Sequence, residues 1–325
     1  YGILNGTTNY ILTQMVRTGA FFSDALREAQ QKGYAEADPT ADVEGIDAGR
    51  KICILADLAF GHQVNPADVP MEGISRLSLR DVKIAQRAGY RVKLLGRAVR
   101  LSGGRTAYVA PHLIPEERPL ASVDGVFNAI VVRGNATGEV MFYGQGAGEL
   151  PTASACVADV MEALQSSPRR EEIGWEADPA GFEDPQALRS RYYFRIGGSL
   201  SDAAMAFGKV EVLSEDGETA FLTEPISGLE AAERARGALG RLDIGGAVER
   251  EEIEMRGKRL ERRSTAMASA QNVLSAFKNR FGLDCGAYDI HYNVPGGFPM
   301  DGPSAGIAFA VALMSAISGK APVAG

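Results

Sequence analysis

A polar stretch in the middle of the chain, residues 165–190, divides the sequence into two parts. It contains three prolines and many charged residues, and its apolar residues follow neither a helical nor a strand period. Proline and charge without periodicity are typical of a linker or a domain boundary. At about 150 residues per domain, a chain of 325 residues fits two domains.

The composition excludes several classes of protein. Hydrophobic residues make up 45% and charged residues 23% of the chain, which excludes a disordered or collagen-like protein. The net charge of −7 argues against nucleic acid or an anionic membrane as a partner. The longest apolar stretch, residues 305–317, is shorter than the roughly 20 residues that span a bilayer. The three cysteines are far apart and form no CxxC pair, which favours a reducing, cytoplasmic compartment.

Helical and strand periods are mixed in both parts of the chain, which predicts an α+β fold with two partial α/β-type domains. The predicted helices cover residues 11–31, 45–60, 151–164 and 265–280. The predicted strands cover residues 90–100, 106–110, 129–133, 139–143, 191–196, 208–213, 219–223 and 288–294.

A group of carboxylates stands beside a lysine in the first part. Asp47 and Lys51 are four residues apart on a predicted helix, so their side chains share one face. Glu36 and Asp42 come shortly before them. Carboxylates can bind the ammonium group of an amino acid, and a lysine can donate a proton to a carbonyl oxygen as hydride arrives. On spacing alone, a solvated ion pair beside an acidic turn explains the same pattern.

The order and spacing of these residues resemble the signature of homoserine dehydrogenases. Four more segments resemble this family, in the family's order: GILNGTTNYIL (2–12), VKLLG (92–96), NAIVV (128–132) and YGQGAGELPTASA (143–155). The resemblance covers residues 1–165 and implies a substrate and dimerisation domain with a mixed sheet. It also implies homoserine and aspartate semialdehyde as substrates, NADP or NAD as cofactor, and a homo-oligomer.

The resemblance implies a role for each matching residue. Lys51 would be the general acid and base, with Asp47 as its catalytic partner. Glu36 would hold the homoserine ammonium group, with Asp42 alongside. The substrate pocket would be lined by Gly6, Thr7 and Tyr34. The nicotinamide would be approached by Gly146, Ala147, Gly148 and Thr152, although a tight strand-to-helix turn explains the same glycines.

The family places a Rossmann nucleotide domain before the region that this chain resembles. The chain contains no GxGxxG that follows a strand and precedes an acidic residue about 20 positions later. We therefore expect little NAD(P) binding and little dehydrogenase activity from this chain alone.

The segment SRYYFRI (190–196) resembles the first strand of the regulatory ACT domain that often follows in this family. The ACT pattern is not continued after it, so a lone apolar strand is an equally good interpretation. We assign residues 166–197 to a polar linker that includes this strand.

A serine at the junction of a loop and an apolar helix is the second group of interest. Ser304 follows PMDGP, and a serine where a loop enters a helix is expected to have its hydroxyl near unpaired backbone N–H groups that can stabilise an oxyanion. A helix cap by Ser304 or Asp301 explains the same position. Residues 240–277 and 288–320 resemble the proteolytic domain of B-type Lon proteases, in which Ser304 matches the nucleophile of a Ser-Lys dyad. We assign residues 198–325 to a truncated domain of this kind.

The lysine of that dyad has no evident match. Lys320 is 16 residues after Ser304, or ~24 Å along a continuous helix, whereas a general base needs about 3 Å. The chain also contains no GxxxxGK[ST]. We therefore expect no peptidase activity.

Three functions stay open from the sequence. The chain is a homoserine dehydrogenase-derived enzyme, a Lon-type protease fragment, or a non-catalytic interaction protein formed by a natural or artefactual fusion. The three histidines, His62, His112 and His291, are scattered and predict neither a metal site nor a Ser-His-Asp triad.

Overall fold

The computed structural model describes residues 1–165, 181–239 and 247–248. The chain separates into two compact units, one of residues 1–131 and 141–252, the other of residues 132–140 and 253–325. Within the second unit, only residues 132–140 belong to the described part of the chain.

The first 87 residues form one short strand, five α-helices and a single 3-10 turn at Pro66–Asp68. In chain order the strand and the α-helices are β1 (Gly2–Ile3), α1 (Gly6–Thr18), α2 (Phe22–Gln31), α3 (Thr40–Val43), α4 (Ile46–Phe60) and α5 (Leu79–Arg87). The single helix predicted over residues 11–31 is wrong, because Gly19 adopts a left-handed φ of 72° that ends α1. The helix predicted over residues 45–60 is confirmed as α4, which ends at Gly61 with a φ of 76°.

Four longer strands complete the first sheet, and a helix follows them. These elements are β2 (Tyr90–Arg100), β3 (Arg105–Pro115), β4 (Phe127–Gly134), β5 (Gly138–Gln145) and α6 (Glu149–Gln165). The strand order is β3-β2-β1-β4-β5. We expected a mixed sheet. Strand β1 pairs antiparallel with β2 and β4, and β2 pairs antiparallel with β3, while a parallel bridge joins Met71 to Val109 of β3. A short hairpin between β2 and β3 permits only the antiparallel arrangement.

Both faces of this sheet are covered. Successive strand residues point to opposite faces, so Leu94 packs in the same core as Leu4 and Ile52, while Leu95 packs with Ile3 on the other side. Ile3, the last residue of β1, and Leu4, which follows it, therefore anchor the backbone in two different cores. This holds the start of α1 at the centre of the sheet.

A second sheet is formed by strands from residues 189–227 and 247–248. Its elements are β6 (Arg189–Ile196), α7 (Leu200–Phe207), β7 (Val210–Ser214), β8 (Thr219–Thr223), β9 (Ile226–Ser227), α8 (Gly228–Leu239) and β10 (Ala247–Val248). The strand order is β10-β6-β8-β7, with β9 also paired to β6. The β-α-β-β-α-β succession with antiparallel neighbours is the ferredoxin-like arrangement. Phe194, Phe207 and Phe221 fill its core, with ring centroids 4.5 to 5.8 Å apart.

The second sheet runs across the boundary that we placed at residue 198. Strand β6 belongs to the segment we assigned as a linker, whereas β7 and β8 belong to the segment we assigned to a Lon-like domain. Strands β6 and β8 pair with each other along a ladder that begins with Tyr193 opposite Leu222 and ends with Ile196 opposite Thr219. The strands predicted near residues 208–213 and 219–223 are confirmed as β7 and β8.

The helix predicted over residues 265–280 and the strand predicted over residues 288–294 lie outside the described residues. Among the helices that the structure does describe, none combines the length and the apolar character needed to cross a bilayer.

Candidate functional site

The candidate site begins where β1 ends and α1 starts, at Asn5. Asn5 caps α1, because its Oδ1 accepts a hydrogen bond from the Thr8 backbone N–H at 2.8 Å. Its side-chain Nδ2 donates to Asp42 Oδ1 at 2.7 Å and to Asp47 Oδ2 at 2.9 Å. One amide, 5% exposed, thus joins two carboxylates that are 37 and 42 residues away in sequence.

The predicted contact between Asp47 and Lys51 is present. Lys51 Nζ donates to Asp47 Oδ2 at 2.7 Å and to the Leu4 carbonyl oxygen at 3.2 Å. Asp47 stands in the first turn of α4, where the positive end of the helix dipole favours a carboxylate. The Lys51 side chain is 47% exposed, so its ammonium group is both held by the protein and open to a small molecule.

Gly6, Thr7 and Tyr34 lie around the start of α1. Thr7 Oγ1 donates to the Tyr34 carbonyl oxygen at 2.5 Å, and the Tyr34 ring packs edge-on against Tyr10 with centroids 4.9 Å apart. A Cβ at Gly6 would lie 2.7 Å from the Val126 carbonyl oxygen. Only glycine therefore permits this close approach of backbone segments.

The glycine-rich loop connects β5 to α6 and is exposed. Gly146, Ala147 and Gly148 form this loop, and the Gly148 carbonyl oxygen accepts a hydrogen bond from the Thr152 N–H at 3.1 Å. Gly148 has a φ of 118°, a value that L side chains rarely adopt. The loop is therefore a strand-to-helix turn that depends on its glycines.

Asn128 connects this loop to the lysine. A Cβ at Gly146 would lie 2.2 Å from Asn128 Nδ2, so the loop backbone is packed directly on the asparagine side chain. Asn128 Nδ2 in turn donates at 3.4 Å to the Leu4 carbonyl oxygen, the same oxygen that accepts from Lys51. Asn128 thus links the glycine loop to the backbone carbonyl that also accepts from Lys51.

Two of the candidate residues are not joined to this group by a described contact. Gln30 Nε2 donates to the Glu36 carbonyl oxygen at 3.0 Å, while the Glu36 side chain is exposed. Ser304 lies outside the described residues.

Sequence reasoning missed Asn5 and Asn128, although both stand inside the motifs quoted above. An asparagine directly before a helical segment is a capping signal, which marks Asn5. An amide in an otherwise apolar strand, as at Asn128, indicates a buried hydrogen bond. Leu4 contributes only its backbone carbonyl, so no side-chain signal identifies it.

Two basic groups elsewhere in the first sheet are buried, His112 and Lys93. Burial lowers the pKa of His112 to about 3, so this histidine is uncharged near neutral pH. Burial also lowers the pKa of Lys93, against the opposing effect of Asp124. Lys93 Nζ donates to Asn9 Oδ1, the Val123 carbonyl and Asp124 Oδ1 at 2.6 to 3.2 Å, which uses all three of its N–H groups.

In residues 1–165, 181–239 and 247–248, no group of three His, Cys, Asp or Glu residues is placed to hold a metal ion.

The first part of the chain is similar to known oxidoreductases. Residues 1–161 match the family model for homoserine dehydrogenase. A homoserine dehydrogenase of Neisseria gonorrhoeae is 54% identical over 161 residues, which are 50% of this chain and 37% of that protein. One of Bacillus subtilis is 40% identical over 233 residues, 70% of this chain and 53% of that protein. The chain thus spans about half, or less, of the length of these relatives.

Solved structures agree with the sequence matches. A homoserine dehydrogenase from Thiobacillus denitrificans has a TM-score of 0.68 and 37% identity, over 76% of this chain and 63% of that one. One from S. aureus has a TM-score of 0.61 and 34% identity over the same shares. Residues 1–161 are therefore homoserine dehydrogenase-derived. Because 161 residues are 50% of the chain, a match over 76% includes residues of the second sheet or beyond.

A second family model matches the end of the chain. Residues 247–324 match the C-terminal proteolytic domain of Lon protease. Apart from residues 247–248, this segment lies outside the part of the chain that the structure describes.

Proposed function

We propose that residues 1–161 bind homoserine and aspartate semialdehyde and carry the proton-transfer group of an NAD(P)-dependent homoserine dehydrogenase. The observation that carries this proposal is the position of Lys51 Nζ between Asp47 Oδ2 at 2.7 Å and the Leu4 carbonyl at 3.2 Å. An ammonium group has three N–H donors. These contacts use two, and we assign the third to the oxygen of the substrate.

Lys51 transfers the proton in this proposal. It donates a proton to the aldehyde oxygen during reduction and removes it from the hydroxyl during oxidation. Asp47 orients the ammonium group and balances its charge. Asp42 and Glu36 bind the substrate ammonium group, and Gly6, Thr7 and Tyr34 line the pocket.

The residues present fit the nicotinamide end of the cofactor, which supplies or accepts hydride. Gly146 lacks the Cβ that would collide with Asn128, so the exposed loop backbone packs on the side chain that also contacts the carbonyl that binds Lys51. A flat ring can approach such a backbone without a side chain in the way. We propose that Gly146, Ala147, Gly148 and Thr152 border that ring.

Calorimetry with the whole chain tests substrate binding. We expect L-homoserine to bind, 4-hydroxybutyrate to bind far more weakly because it lacks the ammonium group, and L-2-aminobutyrate to bind more weakly because it lacks the hydroxyl. Equal heats from all three compounds, or none from any, would contradict the proposal. The second result would favour a non-catalytic interaction protein.

We further propose that the homoserine dehydrogenase-derived part continues through the second sheet as an ACT-like unit, and that the Lon-derived part begins near residue 247. The pairing of β6 with β8 and the 76% structural match support this junction.

In the Lon-derived part, Ser304 is the residue to test. We expect no cleavage of a fluorogenic peptide, and cleavage that Ser304→Ala removes would overturn this view.

Self-association is also part of the proposal. Apolar side chains on α6 are exposed, with Leu150 at 82% and Leu164 at 83%. Solvent-exposed apolar surface of this kind favours contact with another protein surface. We therefore keep a homo-oligomer in the cytoplasm as the expected state.

A further inference from the structure

We propose that Asn5 is a positioning residue, whose amide holds Asp42 and Asp47 side by side and thereby fixes the ammonium group of Lys51. The inference rests on the proposed function of the same site. It adds a residue for which neither the sequence pattern nor the matched families supplied a role here.

Both N–H donors of Asn5 are used, and its oxygen accepts one hydrogen bond. An asparagine side chain carries two N–H donors and one acceptor oxygen. Asn5 donates one N–H to Asp42 Oδ1 and the other to Asp47 Oδ2, while its oxygen caps α1. An aspartate at this position keeps the cap but loses both donors. A serine keeps a capping oxygen but cannot reach both carboxylates.

Two carboxylates in one small region repel each other unless donors lie between them. Hydrogen bonds to an ionised group are among the stronger ones in proteins. The amide of Asn5 places such a donor on each carboxylate without adding charge. Asp42 and Asp47 can therefore stand side by side, as a site for an amino acid's ammonium group requires.

Asn5 acts on the position of Lys51 through a single oxygen atom of Asp47. Asp47 Oδ2 accepts from both Asn5 Nδ2 at 2.9 Å and Lys51 Nζ at 2.7 Å. The Lys51 side chain is flexible and half exposed, so its position depends on a fixed partner. Asp47 is that partner, and Asn5 sets its rotamer.

Asn5 is itself immobile. It is 5% exposed and lies two residues after the end of β1. The preceding residues Ile3 and Leu4 are 1% and 3% exposed in two separate cores. A polar contact made from such a rigid element holds its partner within a narrow range of positions.

The test compares Asn5→Ser with Asn9→Ser in the full chain. Asn9 is a matched control, because it lies on the same helix, is 1% exposed and donates its amide N–H groups to the Val123 and Phe127 carbonyls at 3.0 and 3.1 Å. The main readout is the ¹⁵N–¹H resonance of the Lys51 ammonium group in protein labelled at lysine, assigned with Lys51→Arg. A loss of stability alone does not change this resonance.

We expect Asn5→Ser to displace or broaden the Lys51 resonance and to weaken L-homoserine binding by at least about tenfold. Asn9→Ser should leave the resonance in place, even where it lowers the melting temperature as much. Asn5→Thr, which also keeps a capping oxygen and adds no charge, provides a second variant if Asn5→Ser fails to fold, and it should displace the resonance as well.

An unchanged Lys51 resonance in either folded Asn5 variant would overturn the inference, as would an equal change in Asn9→Ser. The outcome is separable from that of the proposed function. If the unaltered chain does not bind homoserine, the proposed function fails, while the resonance still decides whether Asn5 positions Lys51.

Discussion

Replacing Lys51 with methionine is expected to lower the kcat for aspartate-semialdehyde reduction by about 10²–10⁴-fold. The enzyme for this assay is a hybrid in which residues 1–161 replace the matching segment of the Neisseria gonorrhoeae homoserine dehydrogenase, with which they share 54% identity. The measurement is the oxidation of NADPH on addition of the aldehyde. Methionine preserves the length of the side chain but cannot donate a proton.

The loss should fall on kcat more than on KM, because the proton is transferred in the transition state and not on binding. Lys51→Arg should recover little activity, since a guanidinium group releases its proton far less readily than an ammonium group.

Lys32 provides a matched control for the ion pair itself. Lys32 Nζ contacts Glu28 Oε1 at 2.7 Å with an i,i+4 spacing, and its side chain is 48% exposed, nearly the same as for Lys51. Lys32→Met should leave kcat within about twofold of the unaltered hybrid. A kcat for Lys51→Met similar to that for Lys32→Met would show that Lys51 and Asp47 form only a solvated ion pair.

The second large effect is expected from Arg195→Leu, which removes the main cationic partner of a buried carboxylate. Asp81 is 8% exposed and accepts from Arg195 Nε at 2.6 Å and from the Tyr193 hydroxyl at 2.9 Å. Breaking a buried pair leaves a charge without compensation. Because the Arg195 side chain is 26% exposed, the expected loss is at the low end of the usual range, about 3 kcal/mol of unfolding free energy.

The pH dependence of this loss has a definite sign. Burial opposes ionisation of Asp81, but hydrogen bonds from Arg195, Ser78 and Tyr193 outweigh it, so the pKa of Asp81 lies below its ordinary value of 3.8. A carboxyl whose pKa is lowered by folding stabilises the protein above its unfolded pKa, and this contribution disappears as the pH falls through the folded pKa. The difference between Arg195→Leu and the unaltered chain should therefore shrink below about pH 4.

Urea unfolding followed by circular dichroism, at neutral pH and again below about pH 4, measures both the loss of unfolding free energy and its pH dependence. Lys209→Met is the control, because Lys209 pairs with Glu224 at 3.4 Å with side chains 85% and 54% exposed, and its removal should not shift the midpoint. A midpoint for Arg195→Leu equal to that of Lys209→Met would show that the Asp81 pair adds no stability.

Local patterns in the sequence predicted much of the first sheet and part of the site. The i,i+4 spacing of Asp47 and Lys51 was enough to predict their contact, because a helix places such residues on one face. Gly61 was enough to end α4. The break between α1 and α2 was missed, because helical periodicity on both sides hides a single left-handed glycine.

Contacts between distant segments could not be predicted in this way. The capping pair of Ser78 and Asp81 is a local pattern. The use of the same carboxylate by Arg195, 114 residues later, depends on how α5 and β6 pack. For the same reason, the linker boundary was set by composition, while the pairing of β6 with β8 crosses it.

The sequence by itself determined the secondary-structure types, the lysine and carboxylate pair, and the relation of residues 1–161 to homoserine dehydrogenases. Periodicity, helix spacing and motif order are properties of neighbouring residues, and a single chain displays them directly. Only the tertiary structure decided that Asn5 joins Asp42 to Asp47 and that Lys51 shares the Leu4 carbonyl with Asn128. These contacts arise because β1 lies between β2 and β4 at the centre of the sheet, which brings segments about 40 and more than 120 residues apart to one point.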